Sequence, residues 1–434
     1  MTDFLLSRAP LPLAIRRAVR HLVPFLMLAY VISFLDRSNV AFAKEALAAS
    51  RGISEQMYAL GAGLFFISYS TCGFPSNLIL HRIGARRWIS TLLVAWGFTS
   101  AATVFVEGPA SFYLLRLLLG VTEAGFFPGI ILYLTYWFPS YVRGRIMGLF
   151  YLGVPLALIL GGPLSGLLLE VHIGLQGWQW MFLVEGLLAV VVGALAFRLL
   201  VDRPAKAGWF PDDEKQSLID ELAHEETLRR GTGPVHVLSL FGDFRVLRFL
   251  LIYAFIQVGT YGVVFYLPAE IGALLHKPAG LLVGLVSTIP WICAVAAVYY
   301  LPRAADAHRN HRVLASLILA TAGVASMVFP SAGAFLGLVA LSIAASGFIA
   351  VQPIFWTFPT GYLTDRAAAG GIALIGAGNL GGFLAPTLKV WADNFFHSPR
   401  AGLYLLAALT LVNAALVATI RPGKTADVAI LPRT

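Results

Sequence analysis

The chain has 434 residues, 58% of them hydrophobic and only 12% charged, against about 25% charged in ordinary soluble domains. This excludes a soluble globule: the apolar residues exceed what one buried core holds, and they fall in blocks of about 20, the length that crosses a bilayer as helix. The net charge of +9 sits in short clusters between those blocks, not on one basic face with interleaved aromatics, so it reports membrane topology and excludes a nucleic-acid partner.

The blocks predict twelve spans, near 22–43, 57–80, 88–107, 110–138, 146–169, 179–201, 247–275, 280–302, 313–331, 334–357, 369–391 and 401–420. Arg16, Arg17 and Arg20 precede the first, and Ala41-Phe42-Ala43 resembles a cleavage site. Asp36 and Arg37 within it argue for an uncleaved helix, because signal h-regions are short and uncharged. Span five is rich in small residues (Gly153, Gly161, Gly162, Gly166), as is span eleven (Gly376, Gly378, Gly381, Gly382); both suit close helix packing or a hinge. The polar stretch 202–246 divides the chain into an N-terminal six-helix bundle, 1–201, and a C-terminal bundle with tail, 247–434. Within that linker, Asp212, Asp213 and Glu214 open a short amphipathic helix that stops at Arg229-Arg230-Gly231, expected to be solvated. Basic clusters after spans two (His81 to Arg87) and eight (Arg303 to Arg312) suggest an internal repeat, the usual build of secondary transporters.

Twenty-four of the 31 Lys and Arg residues fall in the tails and even-numbered connections. The odd connections hold Lys44, Arg51, Lys277, Lys389 and Arg400, while Arg37 and Arg116 lie within spans. Both termini are therefore expected in the cytoplasm. Cys72 and Cys293, far apart within apolar blocks, offer neither a disulfide framework nor a thiolate metal site. No cofactor or metal is expected.

Chemistry is sought where charge lies in hydrocarbon, since an ionised side chain at a helix centre costs about 2.5–3.5 kcal/mol even on the lenient insertion scale. Asp36 and Arg37 meet that test in span one. Arg116 and Glu123 meet it in span four, two turns and roughly 10 Å apart on one helix face. One reading is a structural ion-pair set joining the two spans. The other is functional: arginine presents a permanently charged fork matched to a carboxylate, and a buried acid changes protonation with its neighbours. The arginines then capture an anion and the acids carry protons. Tyr69 and Gln257 sit mid-span, where polar groups need a cavity or a partner, and Tyr261, Trp356 and Asn379 join them as substrate-contact candidates. Tyr133, Tyr136 and Tyr266, near span ends, read as interfacial anchors, and Glu185 and Glu270 as solvated helix ends. His-Glu-x-x-His, Gly-x-Ser-x-Gly and phosphate-cradling glycine loops do not occur, so an enzyme is not expected.

The strings Phe34-Leu35-Asp36-Arg37-Ser38-Asn39-Val40, Pro75-Ser76-Asn77, Gly84-Ala85-Arg86-Arg87-Trp88, Glu123-Ala124-Gly125-Phe126-Phe127-Pro128-Gly129 and Gly177-Trp178-Gln179-Trp180 resemble the major facilitator superfamily. More narrowly, they resemble its anion:cation symporter family of tartrate, phthalate and 4-hydroxyphenylacetate permeases. The resemblance implies an all-α membrane protein of twelve helices in two pseudo-symmetric bundles, multi-pass in the cell (inner) membrane and functioning as a monomer. It implies uptake of a small organic acid anion with protons by alternating access. Asp36 and Glu123 are then the proton-coupling carboxylates, Arg37 and Arg116 the substrate-engaging arginines, and Tyr69 and Trp356 pocket residues. Gly73 stands where sugar-acid members carry glutamine, and Asn379 is the one asparagine left of a span-eleven pair, departures that favour a smaller or aromatic acid over a polyhydroxylated one. Gly162-Pro163 and Gly166 partly resemble the signature of drug antiporters, so a proton-driven efflux antiporter is the alternative.

Overall fold

A computed structural model describes residues 9–229, 242–308, 310–362, 371, 372 and 374–420. The linker stop at Arg230-Gly231, the start of the eleventh span at 369 and the tail from 421 lie outside the described residues.

The architecture is helical throughout these residues. The first three spans are α1 (Pro10–Arg51), α2 (Glu55–Ile83) and α3 (Ala85–Ala101). The fourth and fifth are each in two pieces, α4 (Pro109–Glu123) with α5 (Phe126–Trp137), and α6 (Ser140–Tyr151) with α7 (Gly153–Leu169). Then come α8 (Gly177–Leu199), the linker helix α9 (Asp212–Arg229), α10 (Phe244–Leu275), α11 (Leu281–His308), α12 (His311–Val328), α13 (Ala334–Tyr362), α14 (Gly381–Phe395) and α15 (Ala401–Ala418). Ten segments among the described residues are long and apolar enough to cross a membrane; α2 and α14 occupy the positions of the predicted second and eleventh spans. Lipid leaves backbone groups no partner but the helix itself, which is why apolar blocks of this length fold this way.

Helix α1 runs 42 residues, about 63 Å at 1.5 Å per residue, and so extends well beyond the predicted 22–43. Pro10 starts it, where a missing N–H is harmless, and Gly52 ends it at φ 65°, returning its N–H to Ala48 O, a left-handed cap that favours glycine.

The chain divides into two compact units, Met1–Gly52 with Ile67–Gly161 and Leu167–Gly231, and Ile53–Phe66 with Gly162–Gly166 and Thr232–Thr434. In the first, α3 and α8 meet along a glycine seam. A Cβ on Gly97 would lie 2.6 Å from Gly186 O, and one on Gly193 2.8 Å from Val94 N, so only glycine admits this backbone approach. The seam fixes Trp96 and Ser100 on α3 beside Glu185 on α8.

The linker helix is not a free solvated rod. Its Glu214 and Leu218 are buried, Glu214 takes both Arg17 nitrogens of α1 at 2.8 and 2.9 Å, and Glu225 pairs with Arg143 at 3.2 Å. His21 stacks on Trp209 at 4.2 Å. Leu218 supplied an apolar stripe too narrow to stand out in a charged segment. Tyr133 also departs from its reading as an interfacial anchor: it is fully buried and its hydroxyl donates to Val201 O at 2.7 Å. Tyr266 is buried as well, whereas Tyr136 is half-buried under Arg203.

In the second unit, α10, α12 and α13 enclose a core around Ile252, Ile256, Leu319, Phe348 and Val351. Asp243 caps α10, accepting from Arg245 N at 2.8 Å and from the Tyr362 hydroxyl of α13 at 2.8 Å. Burial pushes its carboxyl up, but the Tyr362 and backbone hydrogen bonds outweigh it and hold the group below the usual carboxylate range. A depressed carboxyl contributes stability that is complete above its unfolded pKa and fades as pH falls through its folded value. Asp243→Ala is expected to cost about 1 kcal/mol at neutral pH. Thermal melts of the purified protein should show that gap closing below about pH 4.

Candidate functional site

The four charges predicted from hydrocarbon burial are all inside the first unit, with Asp36, Arg37, Arg116 and Glu123 exposed by 1, 6, 3 and 1%. Their pairing follows from helix geometry. Arg37 of α1 reaches Glu123, the last residue of α4, and forms a buried ion pair with its Oε1. Ser33, one turn earlier on α1, donates to the same oxygen at 2.5 Å. Glu123 Oε2 is buried and accepts no hydrogen bond. The Arg37 guanidinium also lies over the rings of Phe34 and Tyr69, 4.9 and 5.0 Å from their centroids, a cation–π arrangement that supports the charge in a dry setting.

Asp36 points elsewhere. Adjacent helical residues diverge by about 100°, so its carboxylate turns to α3, accepting from Trp96 Nε1 at 3.0 Å and Ser100 Oγ at 2.7 Å. Both of these partners are neutral donors. Arg37 thus pairs directly with Glu123, while Asp36 is held by neutral donors on the next face of α1.

The break in span four belongs to the site. After Glu123 the helix is interrupted at Ala124-Gly125, and a Cβ on Gly125 would run into Ser76 of α2. Ser76 in turn accepts from Trp88 Nε1 at 2.8 Å. This glycine lets α2 press against the point where Glu123 is presented. An aromatic wall lies beside it: Tyr30 stacks on Phe150 at 4.3 Å and meets Phe34 edge-on at 5.4 Å.

The candidates of the second unit form a separate polar group. Gln257 of α10, 4% exposed, donates from Nε2 to Asn379 Oδ1 at 2.7 Å. Gly381 makes room for it, since a Cβ there would lie 2.8 Å from Gln257 Cβ. One turn on from Gln257, Tyr261 is buried against Phe66 at 4.5 Å and Phe265 at 5.6 Å, an aromatic packing position. Trp356 is half-buried, 5.0 Å from Tyr253.

Several polar partners escaped sequence reasoning. Ser33, Trp96 and Ser100 belong to common residue types, and only their contacts mark them. Asn39 was legible, because it lies one turn past Asp36 in an apolar helix. It is fully buried and donates to Glu185 Oε2 at 3.0 Å. Glu185 is 1% exposed, which overturns its reading as a solvated helix end; the glycine seam draws it inside. Gln352 and Thr260, 3.5 Å apart, add to the polar lining of the second unit.

The model described as Major Facilitator Superfamily matches residues 26–386. Three relatives align over nearly the whole chain. The inner membrane transport protein RhmT of Escherichia coli is 43% identical, covering 97% of this chain and 98% of its own. A putative tartrate transporter of Agrobacterium vitis is 40% identical, with coverages of 93 and 90%. A quinolone resistance transporter of Acinetobacter baumannii is 38% identical, with 92% of each chain covered.

Breaking a buried pair from one side costs about 3–5 kcal/mol, whereas replacing both partners by apolar side chains of similar volume is close to neutral. Glu123→Ala should therefore lower the melting temperature of the purified protein sharply. Arg37→Met combined with Glu123→Leu should restore most of the loss, and a double variant no more stable than the single one would mean the pair is not a unit.

Proposed function

The chain belongs to the Major Facilitator Superfamily, and from that premise we propose that it takes up a small organic carboxylate together with protons, in the manner of an anion:cation symporter. The chain is a multi-pass membrane transporter of small metabolites and not an enzyme. What carries the finer reading is the buried pair of Arg37 with Glu123, next to Asp36 on the adjoining helix face.

The pair couples two events through one arginine. A proton on Glu123 removes the negative charge that Arg37 faces, and Oε2, which accepts no hydrogen bond, is the oxygen placed to take it. The guanidinium then presents its fork to a substrate carboxylate. Deprotonation reverses the exchange. Asp36, held by Trp96 and Ser100, gains or loses its proton without breaking an ion pair. Moving one net charge is worth about 2.3 kcal/mol per 100 mV, so uptake of an anion into a negative interior calls for at least one proton per negative charge.

The second unit supports a hydroxylated aliphatic acid. The Gln257–Asn379 amide pair and Gln352 supply the partners that hydroxyl groups need, and one relative is named for tartrate. Gly73 and the single span-eleven asparagine favour a smaller or aromatic acid over a polyhydroxylated one, and a small hydroxy acid meets the first of these. Both termini are placed in the cytoplasm by the Lys and Arg distribution, and the working form is a monomer.

A second reading, proton-driven efflux, is favoured by the relative named for quinolone resistance. Resistance on overexpression without acid uptake would select it. For the main reading, the test is transport by reconstituted vesicles under an imposed pH gradient. Asp36→Asn and Glu123→Gln are expected to lose proton-driven accumulation of tartrate and related acids by about tenfold or more, while retaining counterflow, which requires no net proton movement. Undiminished gradient-driven uptake in both variants overturns the coupling.

A further inference from the structure

Asp36, Trp96 and Ser100 are all buried in the first unit, none more than 1% exposed. The two oxygens of Asp36 are divided between donors of different kind: Oδ2 takes the indole N–H of Trp96 at 3.0 Å, and Oδ1 the hydroxyl of Ser100 at 2.7 Å. Indole only donates, whereas a serine hydroxyl both donates and accepts. The two partners are therefore equivalent towards a carboxylate and different towards a carboxylic acid.

Neither donor has room to move away. The Trp96 ring meets Phe126, the first residue of α5, edge-on at 4.8 Å and 85°. The residue after Trp96 is Gly97 of the α3–α8 seam, and the residue after Ser100 is Ala101, whose nitrogen would lie 2.5 Å from a Cβ on Gly186. The seam thus fixes the stretch of α3 that carries both donors. The charged groups on the neighbouring helices are placed otherwise. Arg37 of α1 bonds Glu123 of α4, Glu185 of α8 bonds Asn39, and Arg116 is buried on α4 two turns before Glu123. From Trp88 to Ala101, α3 carries no charged residue, and neither does α5.

We propose that Trp96 and Ser100 assign the Asp36 proton to Oδ1. On protonation the carboxylate loses its negative charge, and one of its oxygens turns from acceptor to donor. A proton on Oδ2 would face the indole N–H, which cannot accept it, and a buried donor without an acceptor is costly. A proton on Oδ1 meets Ser100 Oγ, whose own hydrogen turns to the carbonyl one turn back, a bond open to a serine within a helix. Oδ2 is then the C=O oxygen and keeps its bond from Trp96 in both states. Trp96 is thus a positioning residue and Ser100 the hydroxyl that reverses, so the acid changes state with every buried hydrogen matched. This rests on the reading of Asp36 as a proton carrier and adds to it the atom that holds the proton and the two residues that select it.

The proton is read by the infrared difference spectrum of the full chain in lipid vesicles between acidic and alkaline buffer. The C=O stretch of protonated Asp36 is the band that Asp36→Asn removes. Trp96→Phe keeps a ring beside Phe126 but has no N–H, and it is expected to shift that band to higher wavenumber, because the C=O loses the hydrogen bond it accepts. Trp96→benzothienylalanine, with sulfur in place of N–H in the same outline, should shift the band likewise and decides the matter if Trp96→Phe does not fold. Ser100→Thr, which retains a hydroxyl, should leave the band where it is. A band unmoved by loss of the indole N–H, a band shifted by Ser100→Thr instead, or no carboxyl band removed by Asp36→Asn overturns the assignment. Failure of the transport reading shows differently, as undiminished gradient-driven uptake in Asp36→Asn and Glu123→Gln, wherever the band lies.

Discussion

A charge inside a bilayer must find its counterpart within the protein, and in this chain the buried contact of Arg37 with Glu123 is where that constraint is met and used. Neither group can be left alone without a penalty of several kcal/mol. Ser33, Phe34 and Tyr69 all serve the pair, two from the same helix and one from the next. The interruption of span four after Glu123 and the glycine at 125 present the acid at a helix end, where it is less confined by its own backbone than a mid-helix residue. What looks in sequence like four scattered charges includes an ion pair, Arg37 with Glu123, and a separate acid, Asp36, held by neutral donors.

Glu123 and Asp36 differ in their partners: Glu123 is bonded to an arginine, whereas Asp36 is bonded to an indole and a hydroxyl. The frame that holds them is the backbone seam of α3 and α8, where glycines at 97, 186 and 193 permit an approach that any side chain would block.

Small residues and paired charges recur at the Lys389 cluster with a different emphasis. There the charge is satisfied twice over, by Glu55 and Asp393. Where α7 meets α11, Gly162 and Gly166 approach the backbone of Gly284 and Gly280 without any charge.

The amino-acid sequence by itself determined the helical membrane architecture, because the length of an apolar block and the cost of a charge within it are local properties. It singled out Asp36, Arg37, Arg116 and Glu123 for the same reason, and Gln257 and Asn379 as polar groups in apolar helices. Which acid meets which arginine was not local: adjacent residues on a helix face different neighbours, and those neighbours come from 60 to 90 positions away. Only the tertiary structure turned Asp36 to Trp96 and Ser100, drew Glu185 and Tyr133 inside, docked the linker helix on Arg17, and moved Lys389 from a presumed loop to a buried junction. In each case the deciding quantity was the close approach of two helices distant in sequence, and side-chain chemistry read along one strand of text carries no measure of it.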